Sequence, residues 1–314
     1  EMSEVKPKIL FMGTAKFANP SLEALIQGGH SAIGVVTQPD RPKGRGRQFV
    51  APPIKDIAGR HRLPVIQPER VRDPDFIQTF RALAPDMVVL VAFGQILPKE
   101  VIQFPRMGCI NVHPSLLPKY RGAAPIHWAL IRGEKETGIT SIMMDEGVDT
   151  GDILLQRETA IEPDENFDRL HDRLALMGAE VLTETIEGLL QGKIHRRAQD
   201  PTQASYAPRL KKEDGLIRWD ADAGEIKNFI SGLSSTPGAY TWLQGKMMKI
   251  FSATAVVAPV AERSGTIIKT PGGLRVAAKN GYLEIRQLQL EGKRRMTAVE
   301  FLRGHRIESG EMAG

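Results

Sequence analysis

The chain has 314 residues, 41% of them hydrophobic and 25% charged, with a net charge of +5. That is an ordinary globular composition, long enough for one large domain or two smaller ones. The single cysteine, Cys109, excludes an intramolecular disulfide framework and a C-x-x-C redox or zinc pair, and no apolar run of about 18 residues offers a membrane span.

The opening residues pass from "EMSEVKPK" straight into "ILFMG", so neither a signal nor a transit peptide is expected, and a reducing, bacterial cytoplasm fits. Charge is unevenly spread. Residues 1–208 hold 25 Lys/Arg against 26 Asp/Glu, whereas 209–314 hold 17 against 11. The positive excess therefore belongs to the C-terminal third, which suits an anionic partner as well as it suits a plain basic domain.

The first strand candidate is "KILFMG" (8–13). "NPSLEALIQGG" follows as a helix, with Asn19 as N-cap, Pro20 in the first turn, Leu22, Leu25 and Ile26 on one face, and a stop at Gly28. A second strand, "AIGVVTQ" (32–38), leads into the loop "QPDRPKGRGRQFVAPP". Then come the strand "PVIQ" (64–67), the helix "PDFIQTFRALAP" ended by Pro85, and the strands "DMVVLVAFG" (86–94), "GCINVH" (108–113) and "GITSIMMD" (138–145). The longest helical pattern covers 164–193. Strands alternating with helices ask for a Rossmann-like, mostly parallel sheet with helices on its faces.

Beyond residue 195 the texture changes. "RRAQDPTQASYAPRLKKEDG" is polar and poorly periodic, as a linker or a surface strap would be. "AGEIKNFISGLS" reads as a short helix, and the rest as compact strands with glycine corners. Among these, "KNGY" is expected to be a type I′ hairpin turn on Asn-Gly. The reading is a catalytic domain over 1–208, with the linker 195–208 included, and a basic OB-like β-barrel over 209–314.

Gly13 after the first strand stands without the further glycines of a dinucleotide fingerprint, and "KGRGRQ" lacks the G-K-[ST] ending of a phosphate loop. A nicotinamide cofactor is rejected. Arg41, Lys43, Arg45 and Arg47 make their loop either a face of solvated charge or a basic finger that orders on nucleic-acid phosphates.

The stretch "CINVHPSLLPKYRGAAPIHWAL" is the most informative. Side chains two apart on a strand point to the same side, so Asn111 and His113 should project together from the strand's C-terminal end, where open α/β sheets bind their ligands. Asn can donate to an oxyanion and His can exchange a proton near neutral pH, which suits chemistry at a carbonyl. Each residue also has a plain structural reading. Asp145, Asp149 and Asp152 with Gly147 and Gly151 read as turn chemistry, or as a carboxylate brought up beside His113 to favour its protonated form. The seven histidines form no recognisable metal-ligand pattern, and no metal is expected.

"INVHPSLLPKYRGAAPIHWAL" followed by "MDEGVDTGDIL" resembles the signature of the folate-dependent formyltransferases, which use 10-formyltetrahydrofolate as donor. "FMGTAKFANPSLEAL", "VVTQPDRPKGRGR", "VLVAFGQILP" and "SYAPRLKKEDGLIRW" extend the resemblance over nearly the whole chain, toward the branch whose acceptor is methionyl initiator tRNA. The resemblance implies a catalytic trio of Asn111, His113 and Asp149. It implies a folate strip of Ser115, Leu116, Leu117 and Pro118, with the pterin near Phe93, Gly94, Gln95, Ile96 and Leu97. With a tRNA as acceptor, charge points to the basic C-terminal domain as the phosphate-binding part and to Arg41, Lys43, Arg45 and Arg47 at the acceptor end, with Arg45 the expected discriminating contact; a cytoplasmic monomer is expected. An amino sugar nucleotide as acceptor, a formyltetrahydrofolate hydrolase and a non-enzymatic RNA-binding module are the competing readings.

Overall fold

The computed structural model describes residues 6–43 and 48–314. In chain order the first elements are β1 (Lys8–Gly13), α1 (Asn19–Gln27), β2 (Ser31–Val36), β3 (Arg41–Lys43), β4 (Gln48–Val50), α2 (Ile54–Arg60), β5 (Val65–Ile66), α3 (Pro74–Leu83), β6 (Met87–Val91) and α4 (Lys99–Ile102). They are followed by β7 (Cys109–His113), α5 (Pro125–Ile131), β8 (Glu136–Met143), β9 (Asp152–Ala160) and α6 (Phe167–Leu190). The remainder comprises α7 (Ala223–Leu233), β10 (Ala239–Leu243), β11 (Lys246–Val257), β12 (Ile267–Thr270), β13 (Gly273–Ala278), β14 (Gly281–Leu290), β15 (Met296–Thr297) and α8 (Ala298–Gly304).

Two compact units result. One holds Glu1–Pro125, Glu136–Thr159 and His171–Ala207; the other holds Pro208–Gly314 together with Ile126–Lys135 and Ala160–Leu170. No helix among the described residues is long and apolar enough to cross a membrane.

The first unit is built on a sheet of order β5-β2-β1-β6-β7-β8-β9. β5 to β7 pair in parallel and β7 pairs with β8 antiparallel. β1, β6 and β7 are near-continuous apolar runs because both faces of a parallel sheet are covered. Leu10, Met12, Val36, Val88 and Leu90 meet Phe76, Phe80 and Val101 in one buried cluster. Chain order leaves β1 toward β2 on one side and returns to β6 on the other. The crevice beyond the C-terminal ends of β1 and β6 is thus a topological switch point.

Gly13 closes β1 there for a packing reason. A Cβ would stand 2.7 Å from the Phe11 ring and 2.8 Å from Ala18 Cβ. β6 ends earlier than the sequence suggests, at Val91, because Ala92 (φ 46°) and Gly94 (φ 86°) turn the chain out of the sheet.

Three local expectations need correction. Asn19 does not cap α1; a 3-10 turn over Lys16–Ala18 runs directly into the helix and makes Asn19 its first residue. The loop around "PKGRGRQ" contains the short antiparallel pair β3 and β4, joined through Pro42↔Phe49. β9 was not expected at all: it is half-exposed and carries Gln156, Arg157 and Glu158, so the alternation that marks a strand is weak.

In the second unit the strands run β10-β11-β14-β13-β12, with β15 on β14, and every pair is antiparallel. One core joins Ile226, Ile230 and Leu233 of α7 to Ile250, Leu283 and Leu288 of the sheet and to Phe301 of α8. Fully burying a side chain the size of Phe301 contributes about 2–3 kcal/mol. The "KNGY" hairpin forms, but Ala278 pairs with Gly281, so Lys279 and Asn280 are its central residues and neither has positive φ. Gly281 is needed instead because a Cβ would lie 2.2 Å from Val256 O on β11, and Asn280 Oδ1 accepts the Ala223 N–H that opens α7.

Candidate active site

β7 changes character along one side. Cys109, Asn111 and His113 alternate with Ile110 and Val112, and all five are buried. Cys109 belongs to the apolar cluster; burial pushes its thiol up to about 12, so it behaves as a small hydrophobe. Two residues on, toward the C-terminal edge, the same side becomes polar. Asn111 is 8% exposed and His113 4%.

The third residue arrives from the β8–β9 hairpin. Asp145 Oδ1 accepts from Gly147 N (3.0 Å) and Thr150 Oγ (2.6 Å), which folds the connection on itself. Gly151 passes so close to β8 that a Cβ would stand 1.9 Å from Met143 O. Asp149 takes the left-handed region, φ 54°, at the tip. Its Oδ1 accepts from Asn111 Nδ2 at 3.2 Å and faces His113 Nδ1 at 3.6 Å; its Oδ2 accepts from Gly122 N at 2.8 Å. The three aspartates therefore have separate roles, with Asp145 shaping the turn, Asp149 reaching the site and Asp152 beginning β9.

His113 Nε2 lies 2.8 Å from the carbonyl oxygen of Tyr120, which can only accept, so Nε2 carries a hydrogen and Nδ1 is the nitrogen turned to Asp149. An amide with a second N–H to offer, an imidazole nitrogen and a carboxylate thus meet at the C-terminal edge of the sheet. Such a group can hold an oxyanion and move a proton.

The resemblance-derived strip lies at the same edge. Phe93 and Leu97 are buried, whereas Ile96 is 77% exposed. Gly94 has φ 86°, and its neighbour Phe93 offers its carbonyl to Gln38 Nε2 at 3.0 Å. Gln95 has a structural role, accepting from Val71 N (3.0 Å) and donating to Glu69 O (3.2 Å). Ser115 donates to Lys119 O at 2.6 Å, Thr140 Oγ donates to Ser115 O and accepts from Leu117 N, and Gln156 Nε2 donates to Leu117 O. Leu116 to Pro118 are thereby tied back to β8 and β9. In the basic loop, Arg41 pairs with Glu69 at 3.2 Å in solvent. Lys43 lies on β3, and Arg45 and Arg47 fall outside the described residues.

Two features escaped the sequence reading, both in the stretch read as a linker or just after it. Gln199 donates to the backbone of the Asp149 loop and accepts from Arg121. In the other unit, Arg209, Lys211 and Lys212 face Ser235, Thr236, Pro237 and Lys249 around an open cavity of about 580 Å³, placing four cations on one concave surface. The run of basic residues at 209–212 was visible; Lys249, nearly forty residues on, was not. Among the described residues no group of three or more His, Cys, Asp or Glu gathers as a metal site requires.

Residues 7–186 match the family described as "Formyl transferase" and residues 209–306 its "Formyl transferase, C-terminal domain". A methionyl-tRNA formyltransferase of Syntrophus aciditrophicus (strain SB) is 53% identical over 98% of this chain and 99% of its own, and one of Geobacter sulfurreducens is 50% identical over 98% and 96%. Among solved structures, WlaRD, a sugar 3N-formyl transferase, superposes with a TM-score of 0.67 at 18% identity over 93% of this chain and all of its own. HypX from Aquifex aeolicus in complex with tetrahydrofolic acid gives 0.66 at 16% identity over 99% of this chain, which spans about half of HypX (51%). These last two likenesses speak to the fold, while the matched domains and the half-identical relatives decide the family: the chain belongs to the formyl transferases.

Proposed function

We propose that the chain transfers the formyl group of 10-formyltetrahydrofolate to the α-amine of methionyl initiator tRNA, as a cytoplasmic monomer, with Asn111, His113 and Asp149 at the reacting centre. The observation that carries this reading is one carboxylate oxygen, Asp149 Oδ1, gathering the Asn111 amide and facing the His113 imidazole at the sheet's C-terminal edge. The acceptor follows from relatives that bear the name methionyl-tRNA formyltransferase along their whole length.

The methionyl amine attacks the formyl carbon, and negative charge builds on the formyl oxygen. Asn111 donates its second N–H to that oxygen. His113, anchored through Nε2, works through Nδ1: it supports the oxyanion and passes a proton to the departing folate nitrogen. Asp149 stabilises the charged ring and relays the amine's lost proton through water. Folate lies along Phe93 to Leu97 and Ser115 to Pro118, whose anchoring to β8 and β9 gives it a preformed wall. The tRNA backbone is held by charge, through Arg41, Lys43, Arg45 and Arg47 and through the Arg209, Lys211, Lys212 and Lys249 cavity, so tRNA binding falls steeply with salt.

Formyl transfer from labelled 10-formyltetrahydrofolate is measured with methionyl initiator tRNA, methionyl elongator tRNA, an amino sugar nucleotide and no acceptor. Transfer to the initiator alone is expected. Transfer to the sugar, or formate released without acceptor, overturns the tRNA assignment. With Arg45→Ala the preference for initiator over elongator should fall more than general tRNA affinity does.

A further inference from the structure

Asp149 works from a backbone conformation that residues other than glycine rarely adopt, φ 54°, so something must hold it there. Its own carboxylate contacts steady the side chain. The backbone is held from below, by a residue far along the chain. Gln199 Nε2 donates to Asp149 O and to Gly151 O, both at 2.8 Å, and so clasps the carbonyls on either side of Thr150. Gln199 Oε1 accepts from Arg121 Nε at 3.1 Å and Nη2 at 2.8 Å. The amide makes all four hydrogen bonds open to it, and only in this orientation, since a flip would turn its oxygen toward two carbonyls and its N–H groups toward a guanidinium.

The support is itself fixed on both sides. Arg197 and Ile153 exchange backbone hydrogen bonds at 2.9 and 2.8 Å, which seats the strap against the start of β9. Arg121 is 6% exposed, and its backbone is stitched to the strap by Arg121 N to Ser205 O (2.8 Å) and Ala207 N to Arg121 O (2.7 Å). Among the described residues it has no carboxylate within ion-pair distance, so a buried cation is committed to orienting one amide. Its neighbour Gly122 donates to Asp149 Oδ2, so one short segment steadies the aspartate through both its backbone and its carboxylate.

We infer that Gln199 is a positioning residue for Asp149, with Arg121 setting the orientation of its amide; this rests on the role assigned to Asp149 above. Loss of the two N–H donors lets Asp149 relax toward ordinary backbone angles and draws its carboxylate away from Asn111 and His113. A misplacement of about 1 Å at such a site costs on the order of 100-fold in rate.

The test is a double-mutant cycle on the full-length protein with 10-formyltetrahydrofolate and methionyl-tRNA. Gln199→Ala should lower kcat about 100-fold, with KM for both substrates within about threefold. Placed on Asp149→Asn, it should cost less than about threefold more, because the group it serves is already gone. Gln199→Glu keeps a partner for Arg121 but removes both donors and turns an oxygen toward the two carbonyls, so it should be at least as slow as Gln199→Ala. Losses that multiply fully with Asp149→Asn, a rise in KM at native kcat, or native kcat in Gln199→Glu would each overturn the proposal while leaving Asp149 in place. Near-native turnover in Asp149→Asn alone would sink both this inference and the reading beneath it.

Discussion

Gly122 donates its backbone N–H to Asp149 Oδ2 across 2.8 Å while Asn111 holds the other oxygen, so the carboxylate is gripped from two strand-linked segments. Gly122 has φ 114°, and a Cβ would stand 2.9 Å from Ala207 O. Replacing it by alanine forces a conformation that costs about 1–3 kcal/mol and shifts the N–H from its partner. Gly122→Ala is expected to lower kcat at least about tenfold and to lower the melting temperature. Native kcat in this variant would show that the Gly122 contact does not matter to turnover.

Asn111 is the proposed oxyanion donor, and losing one such donor costs about 3 kcal/mol. Asn111→Ala should therefore turn over two to three orders of magnitude more slowly, with folate binding by equilibrium titration largely unchanged. A variant with near-native kcat removes Asn111 from the mechanism. The result also separates chemistry from binding, since a uniform binding contact would raise KM instead.

Asp86 ties the first strand to the loop before β7. Arg106 Nε, first, and the Lys8 N–H, second, hold its carboxyl below the usual carboxylate range, each at 2.7 Å. The native state thus prefers the ionised form. The stability this contributes is present above the ordinary aspartate value of about 4 and is lost as pH falls through the lower native value. Arg106 is largely exposed, so about 1 kcal/mol is a fair discounted size. Asp86→Asn should melt about 3 °C lower at pH 7, with the gap closing below pH 4. A gap that persists in acid would deny the carboxylate its part.

Helix α8 begins with a full capping box: Thr297 Oγ accepts from Glu300 N at 3.2 Å and Glu300 Oε2 accepts from Thr297 N at 2.8 Å. The helix carries Phe301 into the core of its unit. Thr297→Ala should cost about 1 kcal/mol, read as a lower urea midpoint at unchanged slope. Formyl transfer by the folded protein should not change.

Strand and helix periodicity exposed most of the first unit, because its parallel strands are buried on both faces and read as apolar runs. The spacing of Asn111 and His113 showed which side of β7 they share, and a glycine-rich turn offered Asp145, Asp149 and Asp152, among which only the family resemblance singled out Asp149. Its neighbour β9 stayed hidden, since an edge strand needs no such run. Asn19 and the Asn-Gly pair misled for one reason: each is a local preference that close packing of neighbouring elements overruled, at the 3-10 turn before α1 and at the β11 approach to Gly281.

By itself the sequence determined the fold class and, through its family motifs, the kind of chemistry, because strand alternation and a contiguous motif are local properties. Only the tertiary structure decided how the site is held. The left-handed Asp149, the His113 nitrogen that faces it, the Gln199 clasp and the Lys249 wall of the basic cavity all depend on partners distant along the chain, and no local pattern encodes which far side chain closes such a network. The same holds for the units themselves: residues 126–135 and 160–170 precede the polar strap in sequence but pack with the C-terminal third, because burial follows contact in space rather than order along the backbone.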